Sequence, residues 1–349
     1  MMSEKESQLH DDILKQFMRF TDIWNTPEPE VGPTYRIPVW KKNKATLWYY
    51  PAKKKKYSIP LFLVYSLVNK AFILDLAPGT SMIEAFVNAG YDVYLLDFGI
   101  PGYEDKDISL DMYIMDYIQS AVKRAFRHSE AEELTVIAYC LGGTLAAIYA
   151  AVSEEPIKNL VLNVAPIDFH QYPVFDQWIE ALKDGEVDHS IIDAIGIVPA
   201  KFMEAGMRMV SSPVYFSHYL SLLARADNQE YVDHWRRFNK WTVGHVPFPG
   251  KALKQLTENI GKDNKLVNGG MVIEGKNADL SNIHANLLVI TAENDRLVPI
   301  EMSSPIMELV SSKDKTLEVI TAGHATFTVK DGLPPHLDKW LSKRSNPLY

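Results

Sequence analysis

The chain has 349 residues, 47% of them hydrophobic and 23% charged, with a formal net charge of −8 at pH 7. These are the proportions of a globular protein able to form one large domain, or a core with an inserted subdomain. The acidic balance excludes general nucleic-acid binding, no apolar run approaches the roughly 18 residues that would span a bilayer, and one cysteine allows no internal disulfide.

Read from the start, Met1-Met2-Ser3-Glu4-Lys5 is polar and shows no secretory leader, so a cytoplasmic location is expected. Residues 4–25 read as an amphipathic helix, with Leu9, Ile13, Phe17, Phe20 and Trp24 recurring at spacings of three and four. That apolar stripe either packs on the protein's own core or is offered to a partner. Thr26-Pro27-Glu28-Pro29 and Gly32-Pro33 break the helix. Lys41, Lys42, Lys44 and Lys53-Lys54-Lys55-Lys56 form a basic cluster that reads as a solvated turn between strands.

Strands are expected at 60–65, 91–96, 134–139, 159–164, 286–291 and 317–321, and helices at 81–88, 110–127 and 142–152. In the second helix Leu110, Tyr113, Tyr117, Ala121 and Ala125 make an apolar stripe. Strands alternating with helices imply an α/β fold with a mostly parallel sheet covered on both faces. After Ala165-Pro166 the alternation stops for roughly 110 residues, then resumes near Leu287. The expected organisation is an N-terminal helix and β segment over 1–58, core over 59–165, an inserted cap or lid over 166–272, and core again over 273–349. A cap would control access of substrate and water.

The run Leu134-Thr135-Val136-Ile137-Ala138-Tyr139-Cys140-Leu141-Gly142-Gly143-Thr144 reads as strand, sharp turn, helix. α/β-Hydrolases carry their nucleophile on such an elbow, flanked by small residues because the backbone folds tightly there. Gly142 supplies one small position; Ala138 stands where the pattern has its first Gly. A cysteine at a helix N-terminus has its thiolate favoured by the unpaired N–H groups and the helix dipole. The plain alternative is a buried packing cysteine. The partners should follow in the order acid, then histidine, each after a strand. Asp295 and His324 fit, with Glu293 a rival acid two residues from Asp295; Asp295 would also suit a helix-capping role. His324 would take the thiol proton and Asp295 would fix its tautomer. Backbone N–H donors of Leu141 and, from the loop after the first core strand, Val68 are expected to form the oxyanion hole.

Asn69-Lys70-Ala71-Phe72-Ile73-Leu74-Asp75-Leu76, Tyr94-Leu95-Leu96-Asp97-Phe98-Gly99 and Tyr139 to Thr144 resemble the polyhydroxyalkanoate synthases. So do Trp241 with Pro247-Phe248-Pro249-Gly250, Asn264-Lys265-Leu266-Val267, and Gly323-His324. The resemblance runs from about Pro27 to the C-terminus and is to the short class III and class IV catalytic subunits. Spacings of 155 residues from Cys140 to Asp295 and 29 from Asp295 to His324 look closer to class IV, the Bacillus type. Ala138 and Arg296, which stands where many members carry His, depart from the family pattern.

The resemblance implies an α/β-hydrolase fold and polymerisation of (R)-3-hydroxyacyl-CoA, expected to be the short-chain 3-hydroxybutyryl-CoA, with CoA release. It also implies a second synthase subunit, a homodimer, and action at the surface of a polyester granule. No cofactor or metal is expected, because the CoA thioester is the substrate. The lysine cluster then has contact with CoA phosphates or an acidic partner as its sharper alternative. A thiol suits this chemistry, since transfer from CoA sulfur to Cys140 exchanges one thioester for another, and hydroxyl attack then yields the more stable oxoester. Two rivals are a cysteine hydrolase of the dienelactone hydrolase kind, with water as acceptor, and a non-enzymatic granule or scaffold protein.

Overall fold

The computed structural model describes residues 4–171, 189–325, 329 and 332–348. Eight strands form one sheet: β1 (Ile37–Lys42), β2 (Ala45–Tyr50), β3 (Leu61–Val64), β4 (Val93–Asp97), β5 (Leu134–Tyr139), β6 (Ile157–Asn163), β7 (Asn286–Ala292) and β8 (Lys315–Ile320). Their order is β1-β2-β4-β3-β5-β6-β7-β8. β1 pairs antiparallel with β2, and β2 with β4. The other five pairings are parallel. All six expected strands are present with ends shifted by a residue or two; the antiparallel edge is built from the N-terminal β segment.

The sheet is covered on both faces, as parallel strands require. β5 is wholly buried. Its Leu134, Val136 and Ala138 pack with α3 (Ser120–Ser129) and α4 (Leu141–Val152) on one face. Ile137 and Tyr139 pack with α2 (Met82–Ala89) on the other, joined by Leu337, Trp340 and Leu341 from the C-terminal helix Pro335–Ser342. Ser81 caps α2 by accepting from the Glu84 N–H, and Gly90 ends it at φ 105°, a conformation open to glycine.

The helix expected at 110–127 is a π-helix over Met112–Gln119 that continues as α3. Its stripe residues Tyr113, Tyr117, Ala121 and Ala125 are all buried. Residues four apart drift by about 40° per step around a 3.6-residue helix. The wider π turn drifts the opposite way, so a stripe at a spacing of four stays on the core side.

Between β6 and β7 no described residue joins the main sheet. This segment holds a short helix at His189–Ile195, the long helix α5 (Ala200–Ala224), α6 (Gln229–Thr242) and a two-residue antiparallel pairing of Ile197–Val198 with Phe248–Pro249. Part of the expected 166–272 insert, residues 172–188, lies outside the described residues.

The N-terminal helix α1 (Glu4–Asp22) packs its C-terminal end on this insert. Ile23 is buried with Leu222, Val232 and Trp235, and Phe20 packs against them. Trp24 meets Trp235 edge-on at 5.8 Å. Ile13 and Phe17 remain exposed, and the side chain of Leu9 lies outside the described ones. Residues 26–30 then run along α6: Arg236 donates to the Thr26 carbonyl at 3.0 Å, Arg237 to Glu30 at 3.2 Å, and Lys240 pairs with Glu28 at 2.9 Å. Three of the seven clustered lysines face acids, Lys55 on Asp92 at 2.9 Å, Lys42 on Asp116 at 2.8 Å and Lys44 on Asp105 at 2.7 Å, while Lys41, Lys53, Lys54 and Lys56 are exposed. Among the described residues no helix is long and apolar enough to cross a membrane.

Candidate active site

The C-terminal ends of β3, β5, β7 and β8 carry the loops of the site, where open parallel sheets place their ligands. β5 runs straight into Cys140, which adopts φ 50° and ψ −133° before α4 begins at Leu141. A non-glycine residue there costs about 1–3 kcal/mol and persists only where its surroundings impose it. They do so from both sides: the Cys140 N–H donates to the Asn163 carbonyl at the end of β6 (3.0 Å), and its carbonyl accepts from Gly143 N–H (2.7 Å). The turn leaves the thiol half-buried rather than sealed into the core.

The elbow needs its small residues for identifiable reasons. A Cβ at Gly142 would stand 2.5 Å from the Tyr65 carbonyl oxygen and 2.8 Å from that of Val64. A Cβ at Gly143 would collide with the Ala165 methyl. α4 therefore starts in direct contact with the end of β3 and with the turn after β6. That turn is itself strained: Val164 has φ 42°, an outlier for a β-branched residue, and its N–H donates to the Ile290 carbonyl of β7 at 2.8 Å.

The loops after β7 and β8 are laced together. Glu293 N–H donates to the Ile320 carbonyl and Asn294 N–H to that of Ala322, both at 3.0 Å. This sets Asp295 against His324, with Oδ2 2.8 Å from Nδ1. The Asp295 side chain has no exposed surface. Its Oδ1 accepts from Leu297 and Val298 N–H groups at 2.9 Å each, so the carboxylate is fixed by its own turn and capping and histidine-holding are one arrangement. Glu293 is exposed and accepts instead from Thr321 Oγ1 at 3.0 Å. Arg296 is exposed and Ala138 buried.

His324 also lies close enough to Cys140 to feel its charge. Burial alone would lower its pKa, but the Cys140 charge and the bond to Asp295 overcome this and push it up to about 10. The arrangement favours the protonated imidazole, with the proton held where a leaving group could take it.

Of the expected oxyanion donors, Leu141 N–H opens α4 directly after Cys140. Val68 N–H reaches Ser66 Oγ at 3.4 Å, the limit of a hydrogen bond. Tyr65 is a neighbour that the sequence pattern does not single out: it is buried, and burial together with the Cys140 charge pushes its phenol well above the usual range. Its only signal was its position at the end of the apolar run of β3. Behind the 65–72 loop lies a cavity of about 300 Å³ whose lining includes Arg36, Tyr65, Asn69, Phe98, Ile100 and Val246.

A family model described as the alpha/beta hydrolase fold matches residues 67–331. The chain is 31% identical over 326 residues to the poly(3-hydroxyalkanoate) polymerase subunit of Haloferax mediterranei, covering 91% of this chain and 66% of that one. It is 27% identical to the subunit of the same name from Thiocystis violacea, over 93% of this chain and 92% of that one. With its counterpart from Synechocystis it shares 28% over 97% and 94% of the two chains. Among solved structures, a monoacylglycerol lipase from Paleococcus ferrophilus matches in fold, with a TM-score of 0.52 at 18% identity over 86% of this chain and 99% of that one.

Proposed function

The chain belongs to the alpha/beta hydrolase fold family, and from that premise we propose that it is a polyhydroxyalkanoate synthase, an acyltransferase that polymerises (R)-3-hydroxyacyl-CoA. Similarity to polymerase subunits over more than nine tenths of the chain supports the reading. The observation that carries it is a lone thiol on a strained elbow, beside a histidine that a buried carboxylate holds at 2.8 Å.

In this reading the Cys140 thiolate attacks the thioester carbonyl. The oxygen's developing charge is met by the Leu141 and Val68 N–H groups. The C–S bond to CoA breaks, and CoA sulfur leaves with the proton that His324 held. The hydroxyl of a second hydroxyacyl unit then gives its proton to His324 and attacks an acyl thioester, forming an oxoester and releasing the sulfur. Asp295 keeps the imidazole in register throughout. No cofactor is needed. The helical insert between β6 and β7 acts as a cap that excludes water, which would otherwise end the chain.

The same reading assigns a short-chain substrate, a second subunit of the class III or IV type, a homodimer and work at the granule surface in the cytoplasm. The test is incubation with 3-hydroxybutyryl-CoA, with and without a co-expressed partner subunit. CoA release with insoluble polymer, absent in Cys140→Ala, is expected. Free 3-hydroxy acid without polymer would assign the site to a water-using cysteine hydrolase instead.

A further inference from the structure

The loop after β3 is fastened at both ends. At its start the Tyr65 carbonyl abuts Gly142, so that end is set by the elbow itself. At its far end it is held by the insert. Val246 N–H donates to the Val68 carbonyl at 3.2 Å, Asn69 and His245 form a β-bridge, and Asn69 Nδ2 donates to the Trp241 carbonyl at 2.8 Å. The same Asn69 side chain turns back, with Oδ1 accepting from Lys70 N–H at 2.7 Å. Asn69 is buried, at 8% exposure, so both of its polar ends are engaged away from water. Asn69 and Trp241 are 172 residues apart in sequence.

The Val68 amide lies between these anchors. Its carbonyl is directed to Val246, which orients the peptide, while its N–H has only the 3.4 Å contact with Ser66 Oγ. An amide so weakly engaged can exchange that contact for a stronger acceptor at little cost. Its aim is set by what holds the loop on either side.

We propose that Asn69 is a positioning residue, which locks the loop bearing the Val68 N–H to the helical insert so that the position of the insert and the aim of this donor are coupled. The proposal rests on the reading of Cys140 as an acyl-accepting nucleophile. Asn69 does not touch the reacting atoms. It acts through Val68, and the insert reaches the reaction through Asn69. Displacing a positioned group by about 1 Å commonly costs on the order of 100-fold in rate.

Two reactions at the same sulfur separate this role from general damage. Acylation by a 4-nitrophenyl ester forms an S–C bond through a tetrahedral oxyanion and expels 4-nitrophenolate. Alkylation by iodoacetamide forms an S–C bond and expels iodide, with no oxyanion. Asn69→Asp keeps the acceptor for Lys70 N–H but removes the donor to Trp241. Acylation of the full chain should slow by roughly 10- to 100-fold while alkylation stays within about twofold of wild type. Asn69→Ser, too short to reach Trp241, should behave alike and serves if the first variant does not fold. An equal fall in both rates, or no fall in acylation, overturns the proposal. Neither measurement uses a hydroxyacyl-CoA, so failure of the polymerase reading would show separately, as wild-type acylation without polymer.

Discussion

The two glycines of the elbow should fail in different ways when given a methyl group. An added Cβ at Gly143 meets one obstruction, the Ala165 methyl; its next neighbours are Ala165 Cα at 3.4 Å and Leu162 Cδ2 at 3.7 Å, both ordinary contacts. Gly143→Ala is therefore an overpacking change costing about 1–3 kcal/mol. At roughly 2 cal/mol/K of unfolding entropy per residue, a 349-residue chain loses about 1.4 °C per kcal/mol, so the midpoint should fall by about 1.5–4 °C. Ala165→Gly removes the obstructing methyl. The double variant should recover most of the loss, with a coupling energy on the order of 1–3 kcal/mol in a double-mutant cycle read by thermal or urea unfolding. At Gly142 the obstruction is backbone, Tyr65 O at 2.5 Å and Tyr65 C at 2.7 Å, which no side-chain deletion can relieve. Gly142→Ala should push the loop after β3 off the elbow and slow Cys140 acylation by at least about tenfold. A Gly143→Ala variant that melts like wild type, or whose defect Ala165→Gly leaves unchanged, would refute the clash with the Ala165 methyl as its cause.

Cys140→Ala should lower the His324 pKa from about 10, because the Cys140 contribution that helps raise it is gone; imidazole NMR titration reads this, and an unchanged value would deny that contribution. In wild type the raised pKa makes the charged His324 a stabilising contribution that is complete below the unfolded value near 6.5 and is lost as pH climbs through about 10. Asp295→Asn should cut turnover by roughly 10³–10⁴-fold, whereas Glu293→Ala should change it less than about twofold; the reverse order would assign the acid wrongly. Deleting residues 1–25 strips Phe20, Ile23 and Trp24 from the Trp235 cluster, so the melting midpoint should fall by several degrees, on about 2–4 kcal/mol of lost burial; an unchanged midpoint would leave α1 free for a partner.

The sequence by itself determined the strand–helix alternation, the elbow at Cys140, and the order of nucleophile, acid and histidine. Each rests on neighbours in the chain: an apolar run long enough for one strand, a small residue beside a tight turn, a polar residue just past a strand's end. The tertiary structure decided what depends on residues far apart. Asp295 rather than Glu293 faces His324 because the loops after β7 and β8 hydrogen-bond to each other, and no periodicity distinguishes two acids in one turn. The apolar stripe of α1 was legible as a helix face but not as to what covers it; Trp235, some 210 residues onward, meets its C-terminal end, while Ile13 and Phe17 stay exposed. The π-helical start at Met112 keeps a stripe spaced by four against the core, a fit that exists only once the sheet is there to pack on. Asn69 read as a family motif without a task until folding laid it under the Trp241 carbonyl. Periodic patterning is a local code, while a single buried hydrogen bond between distant segments leaves no period to read.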